Sequence, residues 1–261
     1  MEHKKHLRSI FGFRKKIISE SKEKSTGKKL LEDFYSKSKV RRIVVICAHS
    51  DDEIFGVGAT LAKYASLGAK VYTVVLSYGE KSNPVFKKDI MVKTRQREAE
   101  EADKFIGGNG VEFIGLREGA FMDDYLLHKG KLVDIIMKKR PDLIFTHSPD
   151  DLHKDHRNTL AIVKDLVDTI YPKEQGGAKG MKRPLVFAFD IWTFFNFKNK
   201  SLPVLYVDVS DFFNDKTEAL KLFKSQRMSL FFLGFGVYFN AIFNGFKIGK
   251  RFAEVFYKIN L

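Results

Sequence analysis

The residues with the most chemical content stand in two short stretches. The first, "VVICAHSDDEIFGVGATLAKY" from Val44 to Tyr64, is an apolar run that ends in His49, Asp51, Asp52 and Glu53. The second, "THSPDDLHKDHRNT", holds His147, Asp150, Asp151, His153, Asp155 and His156, so four of the seven histidines lie in these two stretches. A polar run at a strand exit also serves to cap the next helix, with Asp51 or Asp52 accepting its free N–H groups. One cap does not need three acids and a histidine, and it leaves the second cluster unexplained. Imidazole nitrogens and carboxylate oxygens bind zinc at about 2.0–2.2 Å, and three protein ligands leave a fourth position for water. His49, Asp52 and His156 make such a set, for Zn2+ or another divalent ion such as Fe2+. A bound ion would bring the pKa of its water from ~15.7 toward ~7. Asp51, adjacent to a ligand but directed elsewhere, is then the expected general base. His153 lies three residues before His156 and shares its helical face or tight turn. It is a candidate to stabilise an oxyanion or to protonate a leaving nitrogen, and Asp155 to orient one of the histidines.

Something must hold these two loops together, and the pattern around them says what. "RRIVVICAH" is a continuous β-branched run of the kind buried on both faces of a sheet. Ile54, Val57, Leu61 and Ala65 then fall at helical spacing, with Gly68 as the closing cap. "AKVYTVVLSYG", "VEFIGL", "PDLIFTHS", "PLVFAFDIW", "LPVLYVDVS" and "RFAEVFYKI" read as further strands. Between them lie helical patterns over "DIMVKTRQREAEEADKFIG", "LVDIIMKKR", about Asp155 to Ile170 and about Asp211 to Gln226. Repeated βα units predict a doubly wound, Rossmann-like α/β sandwich with a mainly parallel sheet and right-handed crossovers. In such sheets ligands bind outside the carboxyl ends of the strands, which is where both polar stretches fall.

"AHSDDE" resembles the "AHPDDE" signature, and "DLHKDHR" the "HxDH" signature, of the LmbE-like or PIG-L family of zinc-dependent N-acetylglucosaminyl deacetylases. The resemblance runs from about Arg42 to the C-terminus, because "SLPVLYVDVSDFFNDKTEALKLFKSQ" and "RFAEVFYKI" look like that family's closing segments. It implies His49, Asp52 and His156 as metal ligands, Asp51 as the base and His153 as the group that stabilises the transition state. It also implies removal of acetate from an N-acetylated sugar, typically a GlcNAc glycoside. "RQREAEEA" resembles the family's helix with an Arg and a Glu near the pocket, which makes Arg97 a candidate substrate contact. Ser50 stands where the family usually has proline, so the fixed φ that stiffens this loop is missing here.

Composition narrows the alternatives. With 261 residues, 44% of them hydrophobic, the chain is too apolar for a disordered protein and long enough for one large core. Cys47 is the single cysteine, which excludes an internal disulfide and a Cys-based zinc cluster; its place in the apolar run marks a small buried hydrophobe. The net charge of +14 is uneven: residues 1–40 hold twelve Lys and Arg against five Asp and Glu. We read residues 1–40 as a basic extension without the apolar core of a secretory signal, and 41–261 as the deacetylase domain. The reading is of a cytoplasmic enzyme, with a peripheral membrane contact as an option. "MSLFFLGFGVYFNAIFNGF", Met228 to Phe246, carries no charge and six phenylalanines, but three glycines and two asparagines argue against a membrane span. It suits core or lid packing, or an apolar docking surface for a lipid-linked glycan or a partner. Two other functions compete: a zinc amidase acting on a thiol conjugate, and a non-catalytic protein that binds a nucleotide or polyanion. The second is disfavoured because "CAHSDDEIFGVG" is no GxGxxG and three acids at the strand exit would repel a phosphate.

Overall fold

The structure is a computed structural model that describes residues 40–79, 88–172, 181–191 and 202–261. The basic extension assigned to residues 1–40 therefore lies, up to residue 39, outside the described residues. Seven strands form one sheet in the order β3-β2-β1-β4-β5-β7-β6. They are β1 (Arg42–Cys47), β2 (Lys70–Val75), β3 (Val111–Phe113), β4 (Leu143–His147), β5 (Leu185–Phe189), β6 (Val204–Asp208) and β7 (Ala253–Ile259). The first five run parallel, and β7 is antiparallel to both of its neighbours. This is the mainly parallel α/β sheet that the sequence pattern predicts.

The apolar run of β1 explains why it sits at the centre. Val45 and Cys47 pack into the core on one face of the sheet, Val44 and Ile46 into the core on the other, and all four are fully buried. Helices α1 (Asp52–Ser66) and α2 (Lys88–Phe105) cover the first face. Helices α3 (Phe121–Lys139) and α4 (Lys154–Ile170) cover the second. Gly68, with φ +87, follows the last turn of α1, where a left-handed residue ends a helix without steric cost. The chain leaves β1 toward β2 and β3 on one side and returns to β4 and β5 on the other. The adjacent, parallel pair β1 and β4 is therefore the place where the strand order reverses. Loops leaving such a pair diverge and open a crevice, and the two polar stretches are the loops that leave β1 and β4.

The C-terminal third differs from its sequence pattern in one respect. The helix expected from Asp211 to Gln226 is broken into α5 (Phe213–Leu220) and a 3-10 turn at Lys224–Gln226. The N–H groups of Leu222 and Phe223 bond three residues back, to Ala219 and Leu220, and this tightening turns the Phe223 ring fully into the core. The 3-10 turn runs straight into α6 (Arg227–Ile248), which contains the Phe-rich stretch. Among the described residues, no helix is long and apolar enough to cross a membrane.

Helix α1 is tied to the far side of the sheet by one buried ion pair. Glu254 of β7 accepts hydrogen bonds from the N–H groups of Ala59 (3.3 Å) and Thr60 (2.8 Å) in α1. It accepts a third from Lys216 Nζ of α5 at 2.6 Å, with both side chains about 5% exposed. Removing one member of such a pair leaves the other charge buried without compensation. Glu254→Ala should lower the unfolding free energy by about 3–5 kcal/mol in urea titration. A loss below about 1 kcal/mol would show that the pair does not anchor α1.

Candidate metal centre

Both motif loops are shaped by backbone bonds made by their own acids. After Cys47 the chain makes a tight turn in which Asp51 takes φ 114, a left-handed conformation that costs a non-glycine residue energy and persists only where its surroundings enforce it. The enforcement is visible. Asp52 Oδ2 accepts the His49 N–H (2.8 Å), and Glu53 Oε2 accepts the Asp51 N–H (3.0 Å). Arg95 of α2, 3% exposed, reaches across to the same turn. Its Nη2 donates to the Ser50 carbonyl (2.7 Å), its Nε to Ser50 Oγ (3.2 Å) and its Nη1 to the Gly79 carbonyl (3.1 Å). The rigidity that a proline would supply at position 50 thus comes from a guanidinium clamp that uses the serine hydroxyl. In the second loop, His153 caps α4 by accepting the Asp155 N–H on Nδ1 (3.2 Å), and Asp151 Oδ1 accepts the His153 N–H (2.9 Å).

The loops meet at one oxygen. Asp52 Oδ2 lies 3.5 Å from His49 Nδ1, 3.2 Å from His147 Nε2 and 3.4 Å from His156 Nε2. Around it, His147 and His156 stack at 3.8 Å between ring centroids, and His153 meets His49 edge-on at 5.0 Å. The outer nitrogens of His156 and His49 each face an acid. His156 Nδ1 is 3.1 Å from Asp151 Oδ1, and His49 Nε2 is 3.6 Å from Asp155 Oδ2 and 4.0 Å from Glu118 Oε1. Asp155 Oδ2 also accepts the Gly119 N–H at 2.9 Å.

Burial and charge set the proton affinities. Burial alone would raise the Asp52 carboxyl, but His156 and His147 outweigh it and hold Asp52 well below the usual carboxylate range. His49 and His156 are lowered by burial and raised more by their carboxylates, which push them up to about 10 and about 9. His147 goes the other way, to about 4, because burial and the neighbouring His156 both disfavour its cation. That agrees with its Nε2 accepting the Ala48 N–H at 3.0 Å, since a nitrogen that accepts carries no proton. Burial pushes Asp51 up to about 7, against the pull of Arg95, whose Nη2 is 3.7 Å away, and with the help of Asp52. Glu53 is raised to about 8 by burial.

These residues fit a divalent ion. Two ligand atoms on a tetrahedral ion at about 2.0–2.2 Å stand roughly 3.3–3.6 Å apart, which is the spacing around Asp52 Oδ2. Two overlapping groups bring donor atoms within 4.8 Å of one another: His49, His153 and His156, and Asp52, His147 and His156. The expected set of His49, Asp52 and His156 spans both. The fully buried His156 has no well-directed hydrogen bond at either nitrogen, which leaves its lone pair for a metal. Asp51, Asp52, His49, His153, Asp155 and His156 are all brought together. Arg97 is not: its side chain is 72% exposed on the outer face of α2, 3.7 Å from Glu101, while Arg95, two residues earlier, faces the loop. Sequence reasoning also left His147 and Asp151 without roles. His147 closes β4 as His49 follows β1, and that shared strand-exit position was the available signal.

The open α/β sheet thus carries a histidine and carboxylate cluster, a candidate metal site, at its switch point. Residues 44–167, which contain both loops, match the model of the PIG-L family, described as GlcNAc-PI de-N-acetylase. The chain is 26% identical over 237 residues to a mycothiol S-conjugate amidase of Streptomyces coelicolor, covering 69% of this chain and 80% of that one. It is 28% identical over 162 residues to a 4-oxalmesaconate hydratase of Pseudomonas putida, covering 56% of this chain and 60% of that one. In three dimensions it is similar to the N,N'-diacetylchitobiose deacetylase of Pyrococcus horikoshii, with a TM-score of 0.73, 20% identity, and coverage of 88% and 86%.

The two arginines give a direct check. Arg95→Ala leaves Asp51 buried without its counter-charge and should cost about 3–5 kcal/mol in unfolding free energy. Arg97→Ala removes an exposed helical pair and should stay within about 0.5 kcal/mol. Equal losses in the two variants would contradict the assignment of Arg95 as the clamp.

Proposed function

We propose that the chain is a zinc-type metal hydrolase that removes the acetyl group from an N-acetylated sugar of GlcNAc type, with residues 41–261 as the catalytic domain and 1–40 as a basic extension. The observation that carries the reading is the division of labour between two adjacent acids. Asp52 lies among three imidazole nitrogens, whereas Asp51 is turned by its left-handed backbone toward Arg95. His49, Asp52 and His156 would hold the ion, with Asp151 and Asp155 orienting the outer nitrogens of His156 and His49. When bound, the ion supplies Lewis acidity toward an amide carbonyl and the attacking water.

The chain's own groups do the rest. Asp51, with a proton affinity near neutrality, takes a proton from the attacking water at its carboxylate and returns it to the leaving nitrogen as the C–N bond breaks. Water and the N-acetyl group thus become acetate and a free amine. His153 uses Nδ1 as the α4 cap, so its Nε2–H is the donor available for the oxyanion that develops on the carbonyl oxygen. Burial and the nearby His156 and His49 lower its pKa, and it would act as a neutral donor.

The hydratase relative raises a second chemistry for the same site, addition of water to an unsaturated acid. The amidase relative keeps the bond class and changes only what the amide carries. Incubating the zinc-loaded protein with a panel of N-acetyl glycosides should release free amine. His153→Ala should retain metal and lower kcat by about a hundredfold or more, the scale of losing one oxyanion donor. A filled metal site with no amine from any glycoside, together with turnover of a thiol-conjugate amide or an unsaturated acid, would overturn the deacetylase reading.

A further inference from the structure

Helix α6 presents an apolar face that the proposed reaction does not use. Phe235 (76% exposed), Tyr238, Phe239, Ile242, Phe243 and Phe246 (55%) all stand in solvent. At 100° per residue they fall within about 140° of the helix circumference. Leu233, Ala241 and Asn244, on the opposite side, are buried against the domain. The rings of Phe235, Phe239 and Phe243 stack in series along the exposed side, at 6.5 and 6.0 Å between centroids. A continuous aromatic stripe on a surface helix marks a docking site rather than incidental exposure.

The charge around the stripe identifies its occupant. Between residues 225 and 261 the cations are Arg227, Lys247, Lys250, Arg251 and Lys258, of which Lys250 pairs with Asp208 Oδ2 at 2.9 Å, and the one acid of this stretch, Glu254, is buried against Lys216. Lys247 Nζ sits 4.3 Å from the centroid of the Phe243 ring, at the margin of the stripe, with its stem along the aromatic surface. A second copy of the chain would bring the same cations against the same margin. An anionic bilayer takes both features together: rings insert at the headgroup boundary while the cations meet lipid phosphates and carboxylates. The first 40 residues add a net +7 of the same sign. We propose that α6 lies in the surface of an anionic membrane, with its aromatic stripe inserted and its cations on the headgroups. The C-terminal end of α6 leads into β7 at Ala253, which pairs with Asp208 at the carboxyl end of β6. That edge of the sheet also carries the metal-type cluster, so docking along α6 holds the cluster near the bilayer. The inference does not depend on which bond the site cleaves.

Co-sedimentation of the full chain tests it, with vesicles of phosphatidylcholine alone and of phosphatidylcholine mixed with phosphatidylserine. Binding should require phosphatidylserine and fall at least about tenfold between low and high salt. Phe239→Glu/Phe243→Glu should weaken it at least about tenfold with unchanged circular dichroism. If that pair disturbs folding, Phe235→Ser/Ile242→Ser, at two well-exposed positions, should give a smaller loss in the same direction. Equal recovery on neutral and anionic vesicles, or full binding by the folded variants, would overturn the proposal. So would a stable dimer that these substitutions dissociate while no vesicle recovers the protein, since the stripe would then be covered by a second copy.

Discussion

The site depends on a single buried oxygen. Asp52 Oδ2 is approached by nitrogens of three imidazoles at 3.2–3.5 Å, too long for strong hydrogen bonds and well placed for shared ligation. Every neighbouring choice follows from keeping that carboxylate ionised in a protein interior. Two of the surrounding histidines are pushed toward their cations, while the third is kept neutral by burial and by its neighbour. A divalent ion would take over the compensation that those protons provide, which is how metal binding couples to protonation.

The remaining fold serves to bring two chain segments about a hundred residues apart to this oxygen. Strands β1 and β4 lie side by side because the apolar run of β1 is buried on both faces and belongs in the middle of a parallel sheet. The reversal of strand order at this pair opens the crevice, and α1 and α4 start from it with Asp52 and His156 in their first turns. Arg95 and the Lys216–Glu254 pair, both remote in sequence from the loops, fix the turn and the helix that deliver Asp52. The strain at Asp51 is tolerated because these groups over-determine the turn. It directs adjacent carboxylates in different directions, as the proposed ligand and base require.

Much of this was legible in the sequence because it rests on local pattern. Period and composition give the strands and helices, and loop composition gives the six clustered site residues from His49 to His156. What escaped was whatever depends on a side chain's direction across long separations. Arg95 and Arg97 are two apart on one helix, so about 200° of rotation separates them. The sequence offered no rule for which one faces the loop. His147 was visible only as one more histidine until β4 was placed beside β1. The break after Leu220 depends on burying Phe223, a demand made by the completed core and absent from helix propensity. The Phe-rich stretch forms a regular helix despite its glycines; at Gly245 a Cβ would lie 2.7 Å from the carbonyl oxygens of Lys250 and Arg251, so glycine there permits close packing of the next loop.

The central claim is that Asp52 binds the ion and Asp51 does not. Zinc titration of Asp51→Asn and Asp52→Asn, both close to the native shape, decides it by affinity alone. The account predicts near-native affinity for Asp51→Asn and a loss of at least about tenfold for Asp52→Asn. Native affinity in Asp52→Asn with loss in Asp51→Asn would contradict it and exchange the roles of the two acids.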